Sequence, residues 1–247
     1  MRSIVIIPAR MTSQRLPGKP LADIAGAPMI VHVWRRAQEA DVGPVVVAAA
    51  EPEIVEVVEA AGGQAVLTPP DLPSGSDRVF FALQALDPNQ NFDAVLNVQG
   101  DLPLLNPADL PVLVRELAEG RAKIVTLAAQ ITNPDEAHDP HVVKVVIAFD
   151  PQDAHATCGR ALYFTRSPAP AGEGPLFHHI GIYGFQRAAL TRFVKLSPSP
   201  LEKREKLEQL RALEAGMRID VALVDSIPLG VDTPADLAEA RRLARGT

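Results

Sequence analysis

Short runs of β-branched residues alternate along the first half of the chain with segments whose apolar positions recur every three or four residues. Ile4–Ile7, Pro44–Ala48 and Ala94–Val98 are near-continuous apolar runs, the pattern of strands buried on both faces. Between them, Met29–Ala40 and Glu53–Ala61 carry helical spacing, and Gly62-Gly63 is a stop signal for the second helix. Strand, helix, strand, helix predicts an α/β fold with a mostly parallel sheet and helices on both faces. The second half is less regular. Ile124–Ala129, Val142–Ile147, Ala161–Phe164, Gly181–Phe185 and Arg218–Val224 read as strands, and Leu201–Ala215 as one charged helix. Thr233–Arg245 reads as a closing helix, with Thr233 as N-cap and Pro234 at the first position. The expectation is a single domain over residues 1–247 with a smaller inserted subdomain at 130–215.

Composition narrows the field. The chain has 247 residues, 47% of them hydrophobic and 22% charged, which fits a globular protein. Lys and Arg number 24 against 30 Asp and Glu, a net charge of -6 that argues against a general nucleic-acid binder. A single cysteine, Cys158, excludes an internal disulfide and a multi-cysteine metal site. Ile4–Ile7 is too short an apolar run before Pro8 for a signal peptide, and no run approaches bilayer length, so the expected location is the cytoplasm. Proline is 23 of 247 residues, about twice average usage, and concentrates in loops such as Pro168–Pro175.

The chemistry begins after the first strand. In an α/β sheet the loop at a strand's carboxyl end borders the ligand site. Here that loop is Pro8-Ala9-Arg10-Met11-Thr12-Ser13-Gln14-Arg15-Leu16-Pro17-Gly18-Lys19-Pro20. It holds Arg10, Arg15 and Lys19, a cation set suited to a triphosphate, and Gly18 allows close backbone approach. It is not a P-loop, since Ser13 stands where glycine is required and Pro20 where Ser or Thr is required. Nor does G-x-G-x-x-G follow the strand. Asp101, at the end of Asn97-Val98-Gln99-Gly100-Asp101, is placed to hold a hard cation at the carboxyl end of a strand, or to cap the turn that follows. Gly230-Val231-Asp232-Thr233-Pro234 supplies a second carboxylate, but the same motif reads equally well as capping by Asp232 or Thr233. Ser74-Gly75-Ser76-Asp77-Arg78 precedes a helix and offers amides and hydroxyls at its N-terminus, or simply a cap at Ser76 or Asp77.

Arg15-Leu16-Pro17-Gly18-Lys19-Pro20 and the later motifs, in order to position 236, resemble the sugar-acid cytidylyltransferases, most of all the branch acting on 3-deoxy-D-manno-octulosonate (KDO). The resemblance implies a Rossmann-like nucleotidyltransferase fold and transfer of CMP from CTP to the anomeric hydroxyl of KDO, for lipopolysaccharide synthesis. It implies that Asp101 and Asp232 share a Mg²⁺ ion, and that Ala9, Arg10, Arg15, Lys19, Ser74, Gly75, Arg78 and Gln99 bind the nucleotide. Lys19, Arg10, Asp101 and Asp232 are the implied catalytic set. On the acceptor side Gln99, Arg166, His179, Tyr183, Glu208 and Gln209 are the implied sugar contacts. Arg166 closes Ala161-Leu162-Tyr163-Phe164-Thr165, and an arginine fork suits a sugar carboxylate. His179 and Tyr183 lie in His178-His179-Ile180-Gly181-Ile182-Tyr183-Gly184, and Glu208 and Gln209 in Leu207-Glu208-Gln209-Leu210-Arg211, which relatives also use for a homodimer. No membrane or nucleic-acid partner is implied.

The chain departs from the family pattern at Leu102-Pro103, where Glu-Pro is usual, at Asp77 in place of Glu, and in a short segment between Arg166 and His179. Other acidic sugars, such as an amino variant of KDO or a nonulosonate, remain alternative acceptors, and a non-catalytic nucleotide-binding regulator is the non-enzymatic alternative. Asp135, Glu136, His138, Asp139 and His141 form an acidic-histidine patch that reads as a solvated turn between Pro134 and Pro140.

Overall fold

The structure is a computed structural model and describes residues 1–13, 15–153 and 156–245. In chain order the elements are β1 (Ser3–Ala9), β2 (Asp23–Ile24), β3 (Ala27–Pro28), α1 (Met29–Glu39), β4 (Val45–Ala49), α2 (Pro52–Ala60), β5 (Gln64–Leu67), α3 (Gly75–Leu86), β6 (Ala94–Asn97) and α4 (Asp109–Glu119). There follow β7 (Ile124–Gln130), α5 (Pro134–His138), β8 (Lys144–Ala148), β9 (Cys158–Thr165), β10 (Phe177–Gln186), α6 (Arg187–Val194), α7 (Pro200–Glu205), α8 (Leu210–Glu214), β11 (Ile219–Leu223) and α9 (Pro234–Ala244). They form two compact units, Met1–Pro111 with Pro228–Thr247, and Val112–Ile227. The second unit is wider at both ends than the expected 130–215.

In the first unit the strands run in the order β5-β4-β1-β6, all parallel. Val5, Ile6 and Ile7 of β1 and Val47 and Ala48 of β4 have no exposed surface. That explains their unbroken apolar runs, because both faces of these strands are covered. α1 buries Ile30, Val33, Trp34 and Ala37 along one face. α2 ends at Ala61, and Gly62 follows in the left-handed region (φ 85°), as the double glycine predicts.

The second unit corrects the expectation of a mostly parallel sheet. Only β7 and β11 run parallel there. β10 against β7, β9 against β11, and β8 against β9 are antiparallel. An exposed-buried alternation in β9 (Gly159 buried, Arg160 exposed, Ala161 buried, Leu162 exposed) accompanies that pairing, as a sheet with one solvated face requires. The helix expected over Leu201–Ala215 is two short ones. Lys206 adopts a left-handed conformation (φ 58°) and ends α7, and Leu207 and Leu210 are buried across the break. The Asp135–His138 part of the acidic-histidine patch is a one-turn helix, α5, capped by the Asn133 side chain and with no buried residue.

Gly43 carries one packing constraint of the first unit. Its φ is 140°, and a Cβ there would stand 2.1 Å from the carbonyl oxygen of Ser3, a backbone atom held in β1. Gly43→Ala should therefore lower the unfolding free energy by about 1–3 kcal/mol. An unchanged urea midpoint would contradict that packing.

Candidate active site

The loop after β1 owes its shape to one glycine and to backbone bonds. Gly18 is left-handed (φ 70°) and opens a 3-10 turn, Lys19–Leu21, with Pro20 buried in it. The Gly18 amide donates to Met11 O at 3.2 Å and the Leu21 amide to Gly18 O at 2.9 Å. The Met11 amide donates to the Glu51 carboxylate at 2.9 Å, so the loop is tied to the end of β4. Glu51 is a site-building residue that the sequence reading missed. Its signal was weak, since a carboxylate before Pro52 looks like a helix cap, yet it makes no such cap. Gln14, within this loop, lies outside the described residues.

Lys19 Nζ donates to Asp101 Oδ2 at 2.8 Å and to Asp232 Oδ1 at 2.9 Å. Arg15 Nη2 stands 2.9 Å from Asp232 Oδ2. Two observations explain how residues so far apart in sequence meet. The Val231 amide donates to Asp101 O at 2.9 Å, which splices the segment before α9 onto the end of the β6 loop. Leu237 and Ala240 of α9 pack with Ile24, Met29 and Val231, against Leu16 and Ala22 of the cationic loop. Arg241 adds a hydrogen bond to Asp23 O at 2.8 Å. The capping ambiguity is resolved by Thr233. It caps α9 in a reciprocal box with Asp236, which accepts from the amides of Asp232 and Thr233. That leaves the Asp232 carboxylate to face Lys19. Burial works against the Lys19 charge, but attraction to Asp101 and then Asp232 outweighs it, so the ammonium titrates above the ordinary lysine value. Two carboxylates that converge on one cation are hard oxygen donors, and they fit Mg²⁺ supplemented by phosphate oxygens.

These groups line a cavity of about 850 Å³ in the first unit, with Ala9, Arg10, Ser74, Gly75, Arg78 and Gln99 also on its wall. Arg10 is exposed and makes no hydrogen bond or ion pair among the described residues. Ser74, rather than Ser76 or Asp77, caps α3: its Oγ accepts from the Asp77 amide at 3.2 Å. Gly75, the first residue of α3, lines the cavity, where a Cβ would make ordinary contact with Pro8 at 3.5 Å. Gln99 donates to Asn97 Oδ1 at 3.1 Å. Arg78 lines the cavity from a largely buried position. It is only 2% exposed, and its guanidinium donates to Thr68 Oγ1 and to the carbonyls of Pro69 (2.9 Å) and Pro70 (3.2 Å). Its guanidinium thus holds the 68–70 segment at the cavity wall through three protein oxygens.

Residues 4–219 match the family model described as Cytidylyltransferase. A 3-deoxy-manno-octulosonate cytidylyltransferase of Parvibaculum lavamentivorans is 64% identical over 96% of this chain and 91% of its own length. One of Paramagnetospirillum magneticum is 57% identical, covering 98% of this chain and 97% of its own. A solved CMP:2-keto-3-deoxy-manno-octonic acid synthetase complexed with CTP matches with TM-score 0.89 and 36% identity, over 100% of this chain and 99% of that one. The chain belongs to the 3-deoxy-manno-octulosonate cytidylyltransferase family.

The acceptor residues implied by membership of that family all lie in the second unit, Gln99 excepted, and the structure gives each a protein partner or a buried place. β10 carries a bulge between Ile180 and Tyr183. In a regular strand residues four apart stand roughly 13 Å from each other, but here the His179 and Tyr183 rings are 5.5 Å apart. Thr126 Oγ1 explains the bulge, lying 3.1 Å from Ile180 O and 2.8 Å from Ile182 O. The Thr126 and Tyr183 hydroxyls both lie 3.0 Å from His179 Nε2. Thr126 was not visible as a partner because it sits on another strand. Burial pushes the His179 pKa down to about 3 and the Tyr183 pKa well up, so both are neutral hydrogen-bonding groups. Gln209 is buried just before α8, and Glu208 stands 3.8 Å from Arg211, whose closer partner is Glu202 at 2.8 Å. Arg166 donates from Nε to Glu205 O at 3.0 Å and from Nη1 to Pro140 O at 2.8 Å.

The buried imidazole makes acid stability a test of this network. Unfolded, His179 titrates near 6.5; folded, only at about 3. Its contribution is complete above the unfolded value and is lost as pH falls toward the folded one, because the unfolded chain binds the extra proton. His179→Gln should flatten the fall of the urea midpoint between about pH 7 and about pH 4; an equally steep fall would show that the imidazole is not the titrating group.

Proposed function

We propose that the cavity bounded by the Arg10–Lys19 loop, Asp101 and Asp232 binds CTP, and that the chain transfers CMP from it to the anomeric hydroxyl of KDO, releasing diphosphate. The observation that carries this is the meeting of Asp101 and Asp232 on the Lys19 ammonium, inside a cavity walled by further cations and a helix N-terminus. Membership of the family supplies the base, the acceptor and the place of the product in lipopolysaccharide synthesis.

In the reaction the anomeric oxygen forms a bond to the α-phosphorus, the bond from that phosphorus to the bridging oxygen breaks, and the hydroxyl proton leaves. Little covalent work falls to the protein, so positioning and charge stabilisation dominate. Lys19, Arg15 and Arg10 meet the charge of the triphosphate and of the departing diphosphate. Ser74 and Gly75 present the N-terminus of α3, whose dipole favours an anion. Asp101 and Asp232 would hold Mg²⁺, which would supply Lewis-acid polarisation of a phosphate oxygen and ease deprotonation of a hydroxyl near it. The Lys19 and Arg15 cations, now paired with these carboxylates, gain phosphate partners when nucleotide enters. No side chain stands out as a general base. Gln99 orients nucleotide or sugar, and Arg166, His179, Tyr183, Glu208 and Gln209 recognise the sugar acid.

The protein works as a homodimer, for which the family's Leu207–Arg211 stretch is the support, and acts in the cytoplasm, where CTP is available. No helix among the described residues is long and apolar enough to cross a membrane.

The direct test is diphosphate release with each nucleoside triphosphate and a panel of sugar acids. CTP with KDO should be preferred. Preference for an amino-octulosonate or a nonulosonate would reassign the acceptor, and nucleotide binding without diphosphate release would favour the regulator. Lys19→Ala, Asp101→Asn and Asp232→Asn should each lower kcat by about 10²–10³ or more, with circular dichroism unchanged. Near-normal turnover in either aspartate variant would reject the metal assignment. EDTA should stop diphosphate release and added Mg²⁺ should restore it. Arg166→Ala should raise the KM for KDO while leaving that for CTP within about twofold, as removal of ground-state binding to one substrate does.

A further inference from the structure

The end of β9 is gripped by one side chain that no sequence motif singled out. Glu205 is the last residue of α7, before the left-handed Lys206. Its Oε1 accepts from Thr165 Oγ1 at 3.0 Å and, at 3.4 Å, from Tyr163 OH, while Oε2 accepts from the Arg166 amide at 3.1 Å. The Glu205 carbonyl accepts from Arg166 Nε at 3.0 Å. Its carboxylate is thus turned to the backbone of Arg166 and not to the guanidinium. Among the described residues no carboxylate lies within ion-pair distance of that guanidinium; its two bonds go to neutral carbonyls, Glu205 O and Pro140 O. The Pro140 carbonyl is itself held in place, because the fully buried Lys144 donates to Asp139 O at 2.8 Å and to Val142 O at 2.6 Å on either side of it.

A guanidinium fixed by carbonyls keeps its charge un-neutralised and its planar fork oriented for a carboxylate. Had Glu205 paired with the fork, an incoming acid would have to displace it. We infer that Glu205 is the positioning residue that aims Arg166 at the carboxylate of the sugar-acid acceptor. The inference rests on the reading of Arg166 proposed above.

The test is a double-mutant cycle on the full chain: wild type, Glu205→Gln, Arg166→Ala and the double variant, with KDO and CTP varied separately and thermal midpoints measured. Gln keeps the size of the side chain but turns a donor amide toward one of the groups that now donate to it. Glu205→Gln should raise the KM for KDO about tenfold and leave that for CTP within about twofold. The double variant should be no worse for KDO than Arg166→Ala alone, since a residue acting through Arg166 has nothing left to act on. Glu205→Asp should recover part of the loss. Additive effects in the double variant, equal rises in both KM values, or an unchanged KM for KDO would overturn the inference, whatever the thermal midpoint. If Arg166→Ala behaves as expected and Glu205→Gln is silent, only this inference fails; if wild type transfers no CMP to KDO, the proposed function fails with it.

Discussion

A single ammonium joins parts of the chain that sequence keeps far apart. Lys19 Nζ bonds to carboxylates 82 and 213 residues away, and all three groups line one cavity. The left-handed glycine before Lys19 sets the direction of its backbone. The Val231-to-Asp101 backbone bond and the apolar contact of α9 with the loop then bring both acids to it. The ion pairs themselves are partly exposed, and such pairs contribute little to stability. Their consequence is organisation: like charges that would repel are held converged by a cation between them.

Functional side chains in this protein are free to act because their neighbours do the structural work. Thr233 and Asp236 cap α9, so Asp232 is not consumed as a cap. Ser74 caps α3, and Gly75 lines the cavity at the helix end. Glu51 holds the Met11 amide, and Arg78 holds Thr68 and the two prolines after it. The same division recurs in the second unit, where the Glu205 carboxylate takes the backbone amide of Arg166 and the guanidinium is bonded by the neutral carbonyls of Glu205 and Pro140. A charged group that shapes a wall and one that meets a substrate look alike in sequence, and their partners tell them apart.

The second unit shows how a strand irregularity creates chemistry. Thr126 on β7 fills the gap of the β10 bulge with its hydroxyl and thereby brings His179 and Tyr183 together. Once buried, these rings titrate far from their ordinary values and serve as neutral donors and acceptors.

From the residues alone the elements of the first unit and its candidate charged groups were legible. Apolar runs covered on both faces, glycine stops and the cationic loop after β1 are local signals, and each follows from its own residues. The sequence also named the two aspartates. Other features depended on tertiary contact. Thr233 and Asp236 form the cap locally, but the partners of the Asp232 carboxylate, Lys19 and Arg15, lie more than 200 residues away. Arg78 reads as a cation of the loop before α3, and only the structure shows that its guanidinium also holds three protein oxygens. The bulge at Ile180–Tyr183 and the hold of Glu205 on Arg166 involve partners from other elements, to which periodicity within one segment is blind. Local physics writes elements and candidate charges into a sequence; which charge faces a ligand and which supports it is decided by long-range pairing.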